Sequence, residues 1–204
     1  VLYTLILDTN KYLHPVFDSK QILEILGETT QENIKYRIDI RTAPISYKGV
    51  IAEPLKVSFP KERKEQKDFE IPDIAVLQGR LFLSAKSYET LNPLIAHDGE
   101  FLPVNYELGR GYIFVPMRVA DDVDAVDKNL SKKNDWGYFS HLSFNVDRLG
   151  DWKVFRTKLN GYQSIYCQEV VKEAIERDQL KGLYITSDLA NIYPEDQNTI
   201  SKLS

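Results

Sequence analysis

Sulfur is nearly absent from this chain: one cysteine, Cys167, and one methionine stand among 204 residues. A single thiol excludes an internal disulfide and leaves any cysteine-based zinc set incomplete. Histidine is scarce as well. His14, His97 and His141 lie far apart, with no His-x-x-x-His pair, so the residue pattern calls for no metal and no cofactor. Long apolar runs are missing too: residues 2–7 and 112–115 are strand-length, against the roughly 20 residues of a membrane-spanning helix. No membrane segment is expected. The opening, Val1-Leu2-Tyr3-Thr4, has no basic region, long apolar core or small-residue cleavage site, which reads as a protein of the reducing cytoplasm. The missing initiator Met leaves room for an upstream piece.

Phosphate-binding signatures are equally absent. Gly109-Arg110-Gly111 lacks a third glycine and lies between two strand-like runs, where a hairpin turn is expected instead of a nucleotide cradle. There is no Gly-x-Ser-x-Gly elbow and no Walker lysine. Positive charge is not in excess: the formal net charge is −4, and residues 1–70 are balanced at 11 Lys/Arg against 11 Asp/Glu. The deficit lies in residues 71–204, with 15 against 19. A nucleic-acid surface must neutralise phosphates, so no nucleic-acid partner is expected. The run 61–67, Lys-Glu-Arg-Lys-Glu-Gln-Lys, alternates in sign and reads as a solvated loop.

What is present is an α+β pattern. Residues 2–7 read as a buried strand, and Asp18-Ser19 as the cap of a short helix over 20–26 that stops at Gly27. Ile34, Tyr36, Ile38 and Ile40 alternate with Lys35, Arg37, Asp39 and Arg41, the period of a half-buried strand. A further strand is expected within 50–59, broken by Pro54. From Ile71 the pattern gives strands at 73–77 and 81–83, then a helix capped by Ser84 and running to about 96, with Pro93 kinking or shortening it. Strands at 100–107 and 112–119 follow on either side of the glycine turn. Residues 121–135 read as an acidic loop, 140–146 and 153–158 as strands, 168–177 as a helix and 182–186 as a strand. The polar residues from about Asn191 are expected to fray. The fold class is thus α+β, with mixed, mainly antiparallel sheets and a few short helices. Two strand–helix–strand units of matching spacing lie in the second part, and residues 1–70 form an N-terminal α/β portion ahead of 71–204, as a separate subdomain or in one continuous domain.

Candidate chemistry is thin. Asp121, Asp122, Asp124 and Asp127 suggest a calcium loop but lack its central glycine and terminal Glu. Cys167 falls at the expected start of a helix, where the dipole lowers a thiol pKa, yet Ser84 holds the matching place in the other unit and capping explains both. No catalytic constellation emerges, so a binding protein is expected in preference to an enzyme. Twelve tyrosines and an acidic second half suit a protein interface.

The order of features from Ile71 onward carries a resemblance. Ile71-Pro72-Asp73-Ile74 before a short strand and helix, the strand Phe101-Leu102-Pro103-Val104, the return ending in Arg118-Val119-Ala120-Asp121-Asp122, and the closing strand–helix–Gly-Leu-strand over 165–186 resemble bacterial immunity proteins. The likeness is to immunity-protein family eleven of polymorphic toxin systems and covers roughly residues 70–190. It implies a cytoplasmic bacterial protein of interbacterial competition that binds its cognate toxin effector domain. Such a protein is a toxin inhibitor with no catalytic residues to carry over. The toxin-binding surface is nominated at Asp121, Asp122, Asp124 and Asp127, with Trp136 and Tyr138 as aromatic anchors. Two other readings stay open: a hydrolase-like enzyme using Cys167 or His141, and an adaptor or structural subunit. A homo-oligomer is also left open.

Overall fold

A computed structural model describes residues 1–194. Its elements run β1 (Leu2–Leu7), β2 (Val16–Phe17), α1 (Ser19–Leu26), β3 (Leu55–Ser58), β4 (Ile74–Leu77), β5 (Arg80–Ser84), α2 (Ala85–Ile95), β6 (Gly99–Tyr106) and β7 (Gly109–Pro116). After them come β8 (Lys132–Lys133), β9 (Phe139–His141), α3 (Val146–Leu149), β10 (Val154–Phe155), β11 (Ile165–Gln168), α4 (Glu169–Arg177) and β12 (Leu183–Thr186). A six-stranded sheet has the order β2-β3-β6-β7-β5-β4, a four-stranded sheet the order β10-β11-β1-β12, and β8 and β9 form a small hairpin. All named pairings are antiparallel except β3 with β6. The fold is α+β, as the sequence pattern indicates.

The two strand–helix–strand units are β5-α2-β6 and β11-α4-β12, and their likeness goes further than spacing. In the first, β7 lies between β5 and β6 and runs antiparallel to both; in the second, β1 takes that place between β11 and β12. β4 flanks β5 as β10 flanks β11. The second unit is therefore completed by the N-terminal strand, and residues on both sides of position 70 share its sheet. The larger sheet is shared in the same way through β3 and β6.

One core sits between the units. Leu91 and Ile95 of α2 meet Val171, Ala174 and Ile175 of α4 over Leu81, Leu83, Phe114, Ile165 and Cys167. The outer face of the six-stranded sheet, through Phe82, Leu102, Val104, Ile113 and Val115, is covered by Leu13, Phe17, Ile22, Ile38, Tyr47 and Phe59. The outer face of the four-stranded sheet is covered by Ala120, Ala125, Leu142, Phe144 and Leu149 over Phe155 and Tyr166. Asp73 joins the units: its Oδ2 accepts from the Lys181 backbone N–H at 2.9 Å, and its main-chain oxygen accepts from Ser84 N and Ser87 Oγ. Gly182 follows, and a Cβ there would collide with the Ile74 carbonyl oxygen. The Pro-Asp-Ile and Gly-Leu segments of the resemblance thus meet in space.

Several local expectations need correction. Residues 34–40 are not a strand: Ile34–Tyr36 is a 3-10 turn, Ile40 is exposed, and Arg37 folds back onto Asp39 at 2.7 Å. An ion pair two residues apart favours a turn; Ile38 is the one fully buried apolar residue of the run, with Tyr36 partly buried against the same core. The β6–β7 turn is Glu107-Leu108, so Gly111 lies within β7, where a Cβ would stand 2.6 Å from the Leu83 carbonyl oxygen. Its glycine serves close strand packing rather than a turn. Cys167 belongs to β11 and caps nothing; the helix begins after Gln168. The strand expected at 140–146 shrinks to β9. Ser84 does cap α2, accepting from Ser87 N at 3.3 Å, and Asp18 caps α1. Pro93 falls in the last turn of α2, two residues before its end. Of the stretch expected to fray from Asn191, residues 195–204 lie outside the described residues.

Candidate functional site

A concavity of about 990 Å³ opens beside the β8–β9 hairpin. One wall is the hairpin tip and its return: Trp136, Tyr138 and Phe139. A second is Leu159, Asn160 and Gln163 from the connection between β10 and β11, and the third is Asp188 to Tyr193, after β12. Tyr166 of β11 forms part of the floor. Three segments distant in sequence thus converge on one groove.

The tip is built locally. The Asn134 side-chain oxygen accepts from Trp136 N at 3.1 Å and Tyr138 N at 3.0 Å, and Gly137 takes φ +83°. This Asx-type turn costs no core contact and throws both rings outward. Trp136 is 83% exposed and Tyr138 67%, and Ile192 and Tyr193 on the opposite wall are also more than half exposed. Large apolar side chains held in water beside a groove mark a contact surface. Asn191 holds the far wall in the same manner, its Oδ1 accepting from Tyr193 N at 2.9 Å.

The floor is polar where it is deepest. Tyr166 is buried, and burial pushes its hydroxyl up to about 12, opposed in part by hydrogen bonds with Ser164 and Asn160. Asn160 Nδ2 donates to that hydroxyl at 2.9 Å, while its Oδ1 is buried without a partner.

The four nominated aspartates lie elsewhere, and three of them serve the local backbone or a lysine. Asp121 accepts from Thr157 Oγ1 at 2.7 Å and Lys158 N at 2.8 Å; Asp122 pairs with Lys158; Asp127 accepts from the N–H groups of Asn129 and Leu130, each at 3.0 Å. Asp124, in a left-handed turn, stands 3.7 Å from Arg148 and stays open to solvent. None of the four lines the groove, whereas Trp136 and Tyr138 both do. Sequence reasoning singled out neither Asn160, Asp188 nor Tyr193, because nothing local marks them; of the groove residues it named only Trp136 and Tyr138, as aromatic anchors.

Cys167 is wholly buried in the central core, and burial raises its thiol to about 12. A protonated thiol out of reach of solvent is no nucleophile. His141 is exposed on β9, paired across the hairpin with Lys132. Among the described residues no helix is long and apolar enough to cross a membrane, and no group of three His, Cys, Asp or Glu is placed to hold a metal ion. The chain matches no protein-family profile and no curated protein.

Proposed function

We propose that this protein neutralises a cognate bacterial toxin domain in the cytoplasm by binding it directly, with the aromatic-rimmed groove as the contact surface. The observation that carries the reading is the hairpin tip: Trp136 and Tyr138 stand in water over a large groove, fixed by Asn134 and not by any core contact. Tyr and Trp anchors of this kind dominate binding energy once a partner covers them. The order of motifs from Ile71 to Thr186, which resembles immunity proteins, supports a toxin domain as the partner. Inhibition by occlusion needs no catalytic group.

The test is co-expression with the toxin domain encoded by the adjacent gene, scored by growth rescue and by pull-down. Rescue is expected at stoichiometric expression and is lost on replacing both Trp136 and Tyr138 by Ala. Protection by substoichiometric protein would instead reveal catalysis, and the absence of any complex would sink the proposal.

A further inference from the structure

The lining of the groove specifies the chemistry of what enters it. Among the described residues around it there is no lysine, arginine or histidine, and Asp188 is the one charged side chain. Asp188 is exposed, and its Oδ1 accepts a single backbone N–H, from Ala190 at 3.1 Å. Three aromatic rings, Trp136, Tyr138 and Tyr193, stand more than half exposed around the mouth.

Each candidate occupant meets this lining differently. An anion finds no cation and faces the Asp188 carboxylate. A purely apolar side chain suits the rings, yet it removes water from the Asp188 carboxylate and offers it no hydrogen bond. A cation is drawn to the ring faces and to the carboxylate together. Between the two cationic side chains, the guanidinium is planar, stacks on aromatic rings, is weakly hydrated and presents five N–H donors; the lysine ammonium is a compact, strongly hydrated point charge.

We infer that the groove receives an arginine side chain of the protein partner, stacked among Trp136, Tyr138 and Tyr193, with its N–H groups directed to the Asp188 carboxylate. This rests on the groove being the contact surface proposed above, and it names the chemistry of the anchor.

The probe is a blocked tripeptide, acetyl-Gly-Arg-Gly-amide, with its citrulline counterpart as an uncharged isostere. Binding is read from the indole N–H resonance of Trp136 in NMR, separated from Trp152 by a Trp152→Phe variant. Saturable binding of the arginine peptide is expected on the order of 1 to 10 mM, with the citrulline peptide about tenfold weaker. Asp188→Asn keeps the Oδ1 acceptor for Ala190 N and weakens the arginine peptide about fivefold. Tyr138→Leu, at an exposed position that the fold does not use, also weakens it severalfold. Equal response to both peptides, no saturable response, or no effect of Asp188→Asn and Tyr138→Leu overturns the assignment. If the adjacent toxin is captured with undiminished affinity by both variants, the arginine anchor falls and the toxin reading stands. If the arginine peptide binds as expected and no toxin is captured, the anchor stands and the toxin reading falls.

Discussion

Raising the pH from 8 to 10 places a defined load on one buried group, the Cys167 thiol. It sits in β11 at zero exposure, between the helices of the central core, and burial raises it from its ordinary 9.0 to about 12. In the unfolded chain the thiol loses its proton near pH 9, while in the folded protein it keeps it. The unfolded state is therefore favoured progressively between pH 9 and 12, and stability falls as pH rises through that window; below pH 9 the group contributes no slope. At pH 10 the unfolded thiol is about nine-tenths ionised, which amounts to a loss on the order of 1 kcal/mol relative to pH 8. The assay is urea unfolding of the wild type and Cys167→Ala at both values. The variant is less stable at pH 8, by about 1–2 kcal/mol for the small cavity it leaves, but lacks the thiol, so its deficit shrinks by on the order of 1 kcal/mol at pH 10. The comparison cancels every other titrating group, including Tyr166. A deficit that is the same at both pH values would refute the placement of a neutral thiol in the core, as would reaction of Cys167 with a thiol reagent faster than global unfolding.

Further outcomes follow from other sites. Trp136→Ala is expected to leave stability within about 0.5 kcal/mol, because the ring makes no core contact, while weakening a captured toxin by at least tenfold; thermal melts and calorimetric titration separate the two. Arg156 is fully buried without a carboxylate, its guanidinium donating to the carbonyl oxygens of Thr42 and Gly79 at 2.8 and 3.1 Å and to that of Pro116. Burial and repulsion from Arg80 depress it to about 9, so removing the charge recovers part of what is lost. Arg156→Met strands three acceptors and is expected to destabilise by a net of about 2–4 kcal/mol in denaturant titration; no loss would show that the carbonyls find other donors. Gly182 has φ +126° and lies against Ile74 and Pro72. Gly182→Ala is expected to cost at least about 2 kcal/mol and to loosen the contact between the two units, seen as faster hydrogen exchange in β12 and β4.

Sequence signals were readable wherever structure is decided within a few residues. The Asp18 and Ser84 caps, the Gly27 stop, the apolar stripe of α4 and the strand–helix–strand spacing all act at that range. The α+β class follows from them. Alternation misled at 34–40 because a two-residue ion pair and one core contact at Ile38 imitate the period of a strand. Gly111 was read as a turn because a glycine needed for close sheet packing looks the same in sequence as one needed for positive φ.

Trp136 and Tyr138 mark the boundary between the two kinds of information. Both rings were singled out in the sequence as aromatic anchors, and the structure shows that Asn134 and Gly137 build their turn from adjacent backbone. The groove they rim was not: its opposite wall comes from Asp188 to Tyr193, some fifty residues on, and its floor from Asn160 and Tyr166. Likewise β1 fills the slot between β11 and β12 from the far end of the chain, as β7 does locally in the other unit. Periodicity and capping are short-range effects, so the chain by itself determined the elements and the lack of a ready-made catalytic motif. Hydrophobic burial has no address in sequence. Only tertiary packing decided which strands meet, why Cys167 is inert, and where a carboxylate and three aromatic rings come to line the same groove.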